Sequence, residues 1–189
     1  MKGIHIFLAD GFEEMEALCT ADVLRRGGVS VSTVSMNESE YVSGSHGICV
    51  AADTVFGVSD RSHEGTDAGD VMIFPGGMPG TKNLAGNGEL MELMLGHYAA
   101  GGTVAAICAA PGLIVSKLPD LAGKRFTCFD GFETEPVSKG AVFTGESAVT
   151  DGRLITGRGA GHAVNFGLAL LAFLKGDECA ASVRKGLML

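Results

Sequence analysis

Thr103–Gly112, Thr-Val-Ala-Ala-Ile-Cys-Ala-Ala-Pro-Gly, is a short apolar run that ends on a cysteine and turns at once into another element. Thr103 to Ile107 reads as a buried strand bounded upstream by Gly101 and Gly102, and Ala109 to Lys117 continues as a helix with Pro111 in its first turn. Cys108 then stands on the corner. A strand–nucleophile–helix corner is tight, so the positions two before and two after the nucleophile must be small, and they are Ala106 and Ala110. At a helix N-terminus, unpaired N–H groups and the helix dipole favour an anion and lower a thiol pKa, so the corner predicts a reactive thiolate. Free cysteine is also among the most buried residue types and often only fills space, and the corner alone leaves both readings open.

Outward from that corner, strands and helices alternate. Gly3–Ala9 is a short apolar run followed by Asp10-Gly11, and Phe12–Arg26 carries Phe12, Met15, Leu18, Cys19 and Val23 at helical spacing. Gly27-Gly28 closes that helix, and Val29–Met36 alternates valine with serine in the manner of a strand. Asn37–Gly47 is polar and turn-rich, whereas His46–Phe56 has room for one or two strands without a clean period. Asp60–Gly69 reads as a charged surface loop, and Val71–Phe74 as a buried strand stopped by Pro75-Gly76-Gly77. Leu84–Ala100 reads as a helix with Leu90, Leu93, Met94 and Tyr98 inward.

Downstream of the corner, Lys124–Phe129 and Ala141–Gly145 are strand candidates, and Ala148–Thr156 holds a hairpin around Asp151-Gly152. Ala163–Leu174 is a strongly apolar helix and Asp177–Leu189 a last short one on the surface. This alternation predicts an α/β fold, a mainly parallel sheet covered on both faces, with the loops leaving strand carboxyl ends gathered on one edge. Four such turns, Asp10–Glu16, Pro75–Gly80, Cys108–Pro111 and Gly157–His162, can converge on one pocket.

With 189 residues, 46% of them hydrophobic, the chain can bury one core, and residues 1–189 are read as one domain. A formal charge of −8 speaks against nucleic acid or an anionic membrane as partner, since both call for a basic face. Ile4–Ala9 reaches Asp10 too soon for a secretory signal, and Phe166–Leu174 falls far short of the ~20 residues that cross a bilayer, so a cytoplasmic protein is expected. The five cysteines, Cys19, Cys49, Cys108, Cys128 and Cys179, are odd in number and lack Cys-x-x-Cys or zinc spacing, which fits reduced thiols.

Glu13, Glu14 and Glu16 crowd the start of the first helix, where the dipole favours carboxylates with or without a function. Glu16 is one turn further in, on a face shared with Phe12 and Cys19. A carboxyl buried there near a thiolate has its pKa raised and, protonated, donates a hydrogen bond to sulfur or moves protons. Gly76 and Gly77 offer unobstructed N–H groups that, with the N–H of Ala109, suit an oxyanion hole beside Cys108; they also suit an ordinary turn. Gly157-x-Gly159-x-Gly161 is like a dinucleotide fingerprint, but it comes late and lacks an acidic residue about 20 positions onward that ends a second strand, so no cofactor is expected. Arg158 and His162 in that turn are candidate pocket groups. His5, His63 and His97 read as strand or surface features, and no spacing suggests a metal.

Taken in order, Asp10-Gly11-Phe12-Glu13-Glu14-Met15-Glu16, Phe74-Pro75-Gly76-Gly77, Ala105-Ala106-Ile107-Cys108-Ala109-Ala110-Pro111 and Thr156-Gly157-Arg158-Gly159-Ala160-Gly161 resemble the DJ-one/ThiJ/PfpI superfamily, most closely its DJ-one-like branch. The resemblance runs over essentially the whole chain. It implies a flavodoxin-like three-layer sandwich with a nucleophile elbow, a homodimer, a reactive Cys108, a protonated Glu16 beside it, and backbone donors at Gly77 and Ala109. Ala109 stands where the protease-like branch places a histidine, which disfavours a peptidase, and the downstream His-Glu pair of amidotransferase relatives is not found.

Where DJ-one-like members tend to carry a pocket histidine, this chain has Cys128-Phe129. His162, where a threonine is more usual, is the candidate replacement imidazole, and Cys128 a second thiol expected within reach of Cys108. The activity implied is that of a cofactor-free glyoxalase or deglycase acting on small reactive dicarbonyls, methylglyoxal to lactate through a hemithioacetal. The alternative is an oxidative-stress sensor or protective chaperone in which Cys108 is oxidised to a sulfinate stabilised by Glu16. A hydrolase or amidotransferase relative is a third reading. The sequence does not give the dimer surface, for which His46 and the stretch around it are candidates.

Overall fold

Side chains of the central strands point alternately to two faces, and because both faces are covered, Val71–Phe74 and Thr103–Ile107 are buried at every position. The computed structural model describes residues 1–57 and 63–189. In chain order the elements are β1 (Ile4–Leu8), α1 (Glu14–Arg26), β2 (Val31–Ser35), β3 (Tyr41–Ser43), β4 (Cys49–Ala51), β5 (Thr54–Val55), β6 (Val71–Phe74), α2 (Gly80–Gly86) and α3 (Gly88–Ala99). There follow β7 (Thr103–Ile107), α4 (Ala110–Leu113), β8 (Arg125–Phe126), α5 (Thr134–Ser138), β9 (Val142–Phe143), β10 (Ala148–Asp151), β11 (Leu154–Gly157), α6 (Ala163–Lys175) and α7 (Asp177–Gly186).

One seven-stranded sheet runs β10-β11-β7-β6-β1-β2-β5, parallel except for β10, which pairs antiparallel with β11 around Asp151-Gly152. Its run β2-β1-β6-β7-β11 is the doubly wound, flavodoxin-like order, and the winding reverses between β1 and β6. Ligands of such sheets bind outside the strand carboxyl ends at that reversal. Phe7, Met72, Phe74, Val104 and Ala106 pack on the layer of Leu84, Leu90 and Met94 from α2 and α3. Ile6, Leu8, Ile73, Ala105 and Ile107 pack on the other layer, with Ala17, Leu24, Phe166 and Leu170 from α1 and α6. Each fully buried Leu, Ile or Phe contributes about 1.5–3 kcal/mol against the chain entropy.

Several local expectations are corrected. The helix from Leu84 to Ala100 is two helices, broken where Asn87 turns extended and caps the second by accepting the Leu90 N–H at 2.9 Å. The helix from Ala109 to Lys117 is a single turn, α4, followed by a 3₁₀ turn at Val115–Lys117; Pro111 and Gly112 are poor helix formers, and Gly112 lies against the Phe132 carbonyl. The polar stretch Asn37–Gly47 contains β3, which forms a hairpin with β4, and β8 and β9 pair with each other outside the main sheet. Of the loop Asp60–Gly69, residues 60–62 lie outside the described residues. Among the described residues no helix is long and apolar enough to cross a membrane.

Candidate active site

Because β1, β6 and β7 are neighbours, the turns leaving their carboxyl ends lie side by side. Backbone bonds fasten them: the Glu13 N–H donates to Gly76 O at 2.9 Å, Gly80 N–H to Gly11 O at 3.1 Å and Phe129 N–H to Cys108 O at 2.8 Å. Asp10 ties in the next segment, accepting from Asn37 Nδ2 at 3.0 Å and from the Ser43 N–H at 2.9 Å. Glu13 caps α1, its Oε2 taking the Glu16 N–H at 2.7 Å, and Glu16 is carried inward to full burial.

Cys108 holds φ at +65°, the left-handed region, which costs a residue with a Cβ roughly 1–2 kcal/mol. The neighbours enforce it. Its N–H donates to Gly157 O at 3.0 Å, its carbonyl is taken by Phe129, and Ala106 and Ala110 are fully buried on either side of the bend. Glu16 Oε2 accepts the Gly76 N–H at 2.7 Å; Oε1 is buried without a backbone or side-chain N–H or O–H donor, and the Cys108 thiol is the group hydrogen-bonded to this carboxyl. A Cβ on Gly76 would fall 2.6 Å from both Glu16 Oε2 and Cys108 Cβ, so only glycine fits between them. Gly77 has φ +90°, and its N–H and that of Ala109 are directed at the sulfur.

Burial pushes the Glu16 carboxyl up to about 7, against the pull of the Gly76 N–H and the thiol. Burial, and then the negative charge of Glu16, pushes the Cys108 thiol up to about 12, against the N–H groups of Ala109 and Gly77. Two acids in contact lose their protons in steps that belong to the pair, so above about 7 the site carries one negative charge held by the pair as a whole. The depressed thiol pKa expected from a helix dipole is therefore corrected. One turn of α4 aligns too few peptide dipoles, and burial dominates.

A cavity of about 720 Å³ opens over the pair, lined by Glu13, Glu14, Met15, Glu16, Ser45, His46, Ile48, Gly77, Met78, Cys108, Phe129 and Ala160. A neighbouring cavity of about 300 Å³ shares Phe129 and Ala160 with it and is otherwise lined by Asp130, Arg158, Gly159, Gly161 and His162. His162, expected beside Cys108, is thus in the second cavity, set there by the 3₁₀ turn Ala160–His162. Arg158 shares that cavity, and its guanidinium is already paired: it donates to Gly145 O and to Asp130 Oδ1, the latter at 2.7 Å. Cys128 lines neither cavity. It is fully buried in the layer of Phe126 and Ile114, whereas Cys108 packs against the opposite layer.

His46, to which sequence reasoning gave no part in the pocket, lines the Cys108 cavity. Its loop is set by an isolated parallel bridge between Phe12 and Gly44 and by the Ser45 N–H donating to Phe12 O at 2.8 Å. Gly44 is the signal that was available in the sequence, since a Cβ there would meet the Glu14 carboxyl at 2.3 Å. Among the described residues, Glu13, Glu14 and His46 have one potential ligand atom each within 4.8 Å of the others, but both Glu14 oxygens already accept N–H groups of His46.

Fold and site together define a class of protein: a doubly wound α/β sandwich that presents one cysteine on a left-handed elbow, against a buried carboxyl, where the sheet winding reverses. The chain belongs to the DJ-1/PfpI family, which it matches over residues 2–173. It is 34% identical over 187 residues to Protein dj-1beta of Drosophila melanogaster, covering 99% of this chain and 97% of that protein. It is 30% identical over 178 residues to Glutathione-independent glyoxalase DJR-1.2 of Caenorhabditis elegans, covering 94% and 90%. The crystal structure of a cysteine-to-alanine mutant of a DJ-1 superfamily protein from Salmonella typhimurium superposes with a TM-score of 0.86 at 32% identity, over 100% of this chain and 98% of that one.

Proposed function

We propose that this chain is a cofactor-free enzyme that converts a small reactive dicarbonyl such as methylglyoxal to a 2-hydroxy acid through a covalent intermediate on Cys108. The observation that carries the reading is the Glu16–Cys108 pair on the floor of an open cavity, with one shared charge and two N–H groups at the sulfur. The Caenorhabditis elegans relative's name lends support. The sulfur attacks the aldehyde carbon, and the carbonyl electron pair becomes an alkoxide held by the Gly77 and Ala109 N–H groups and protonated by Glu16. Glu16, now a carboxylate, moves the hydrogen of that carbon to its neighbour while the hydroxyl proton passes between the two oxygens. A thioester of the 2-hydroxy acid results. Water then releases the acid and frees the sulfur.

Residues 1–189 act as one domain in this proposal, and the working unit is a homodimer, for which the exposed apolar Met15 and Ile48, which line the cavity, supply a surface. A reducing, cytoplasmic setting suits a free thiol. The deciding assay is purified protein with methylglyoxal and no glutathione. Loss of the dicarbonyl should be matched mole for mole by lactate, and loss without lactate would sink the proposal.

One feature favours a second reading. Protonated Glu16 has an oxygen with no N–H or O–H donor, free to donate to an oxygen on an oxidised sulfur, which suits an oxidation sensor. Peptide mass spectrometry after mild peroxide should then find sulfinate concentrated on Cys108. Oxidation spread evenly over the five cysteines would count against it.

A further inference from the structure

We propose that His46 is a second proton-transfer group of the Cys108 cavity, held in place by Glu14, and that it activates the water that releases product from sulfur. This rests on the dicarbonyl reading for its substrate, though not for its geometry. Glu14 accepts both N–H groups that His46 offers on one side: the backbone N–H on Oε1 at 2.7 Å and Nδ1 on Oε2 at 2.9 Å. Ser45 Oγ adds contacts of 3.1 Å to Nδ1 and 3.3 Å to Glu14 Oε2. Burial alone would raise the Glu14 pKa, but the hydrogen bonds from the His46 side chain and backbone outweigh it and hold the carboxyl down at about 2. It is therefore an acceptor only, and the proton of the neutral ring must sit on Nδ1.

Nε2 then carries a lone pair, and among the described residues it has no hydrogen-bond partner. The charged groups facing the ring are Glu14 and, at 3.9 Å, Glu13, both at the start of α1. The ring is exposed to water, its side chain 70% accessible, and shares the cavity with Cys108. Glu16 is poorly placed to meet the incoming water of the last step, being fully buried. At the thioester, Nε2 takes a proton from water as the water oxygen bonds to the acyl carbon. The oxyanion collapses, the C–S bond breaks with its electron pair on sulfur, and the acid departs. Of the two protons from water, one restores Glu16 and the other goes to solvent.

His46→Gln should lower lactate formation by about 10²-fold. Alkylation of Cys108 by iodoacetamide should stay within about twofold of wild type, showing an intact elbow. A lactyl adduct should accumulate on the Cys108 peptide, and added imidazole should restore part of the turnover of His46→Ala. Glu14→Gln, which removes the positioning carboxylate, should move the ascending limb of the pH–rate profile to lower pH, because that carboxylate favours the imidazolium. An acetyl group loaded on Cys108 with p-nitrophenyl acetate gives a reading that needs no dicarbonyl. Slower decay of this thioester in His46→Gln than in wild type supports the proposal even if methylglyoxal yields no lactate, which would remove the substrate reading alone. Equal decay in the two proteins overturns it.

Discussion

Cys108→Ser is expected to lower glutathione-independent conversion of methylglyoxal by at least about three orders of magnitude while the fold persists. A serine hydroxyl is far too weak an acid to share its proton with Glu16, so the site loses its nucleophile. The substitution changes one atom, leaves φ +65° as it was and keeps the Gly157 and Phe129 backbone bonds, so the melting temperature should move little. Lactate formation and thermal melts on both proteins decide the matter. Equal turnover would take the chemistry away from this sulfur.

The second large effect is expected at Glu16. Glu16→Gln keeps the shape but removes a group able to give and take a proton, and turnover should fall by about 10²-fold or more. Its signature is in the pH dependence of Cys108 alkylation. In the wild type the pair is neutral below about 7 and carries one negative charge above it, so the rate should rise through that value. With glutamine, the thiol must ionise alone in a buried site, and the rise should shift to about pH 8 or higher.

Stability supplies an independent check. The Glu16 pKa is raised on folding from 4.5 to about 7, so the folded state holds more protons between those values and wild-type stability falls as pH rises through that window. Glu16→Gln lacks this loss. Its melting temperature relative to wild type should therefore increase from pH 4.5 to pH 7 and level off above. A difference that stays flat across the window would mean that the carboxyl is not buried in the charged state as described.

Much of the architecture was legible because its signals are local. The apolar runs in β1, β6 and β7 and the periodicity of α1 and α6 fix five central elements, and Asp151-Gly152 fixes the hairpin of β10 and β11. Small residues flanking Cys108 marked the bend for the same reason. What failed depends on packing that no short window contains. Cys128 is next in sequence to Phe129, whose N–H bonds to Cys108 O, yet its side chain enters the opposite layer, so closeness of backbone misled about closeness of thiols. His162 misled because the turn that carries it closes as a 3₁₀ turn, Ala160–His162, and leaves it in the neighbouring cavity across Phe129 and Ala160. His46 was missed as a pocket residue because three-residue strands show no period, and its place comes from Gly44 pressed on a carboxyl thirty positions upstream in the chain.

The separation of Cys128 from Cys108 governs how this protein would recover from damage. No second cysteine lines the cavity over Cys108 among the described residues, so a sulfenic acid formed there meets no partner thiol within that cavity. The open cavity leaves rescue to small thiols diffusing in from the surroundings. Where those run low, each oxidative hit advances toward a form that they can no longer reverse.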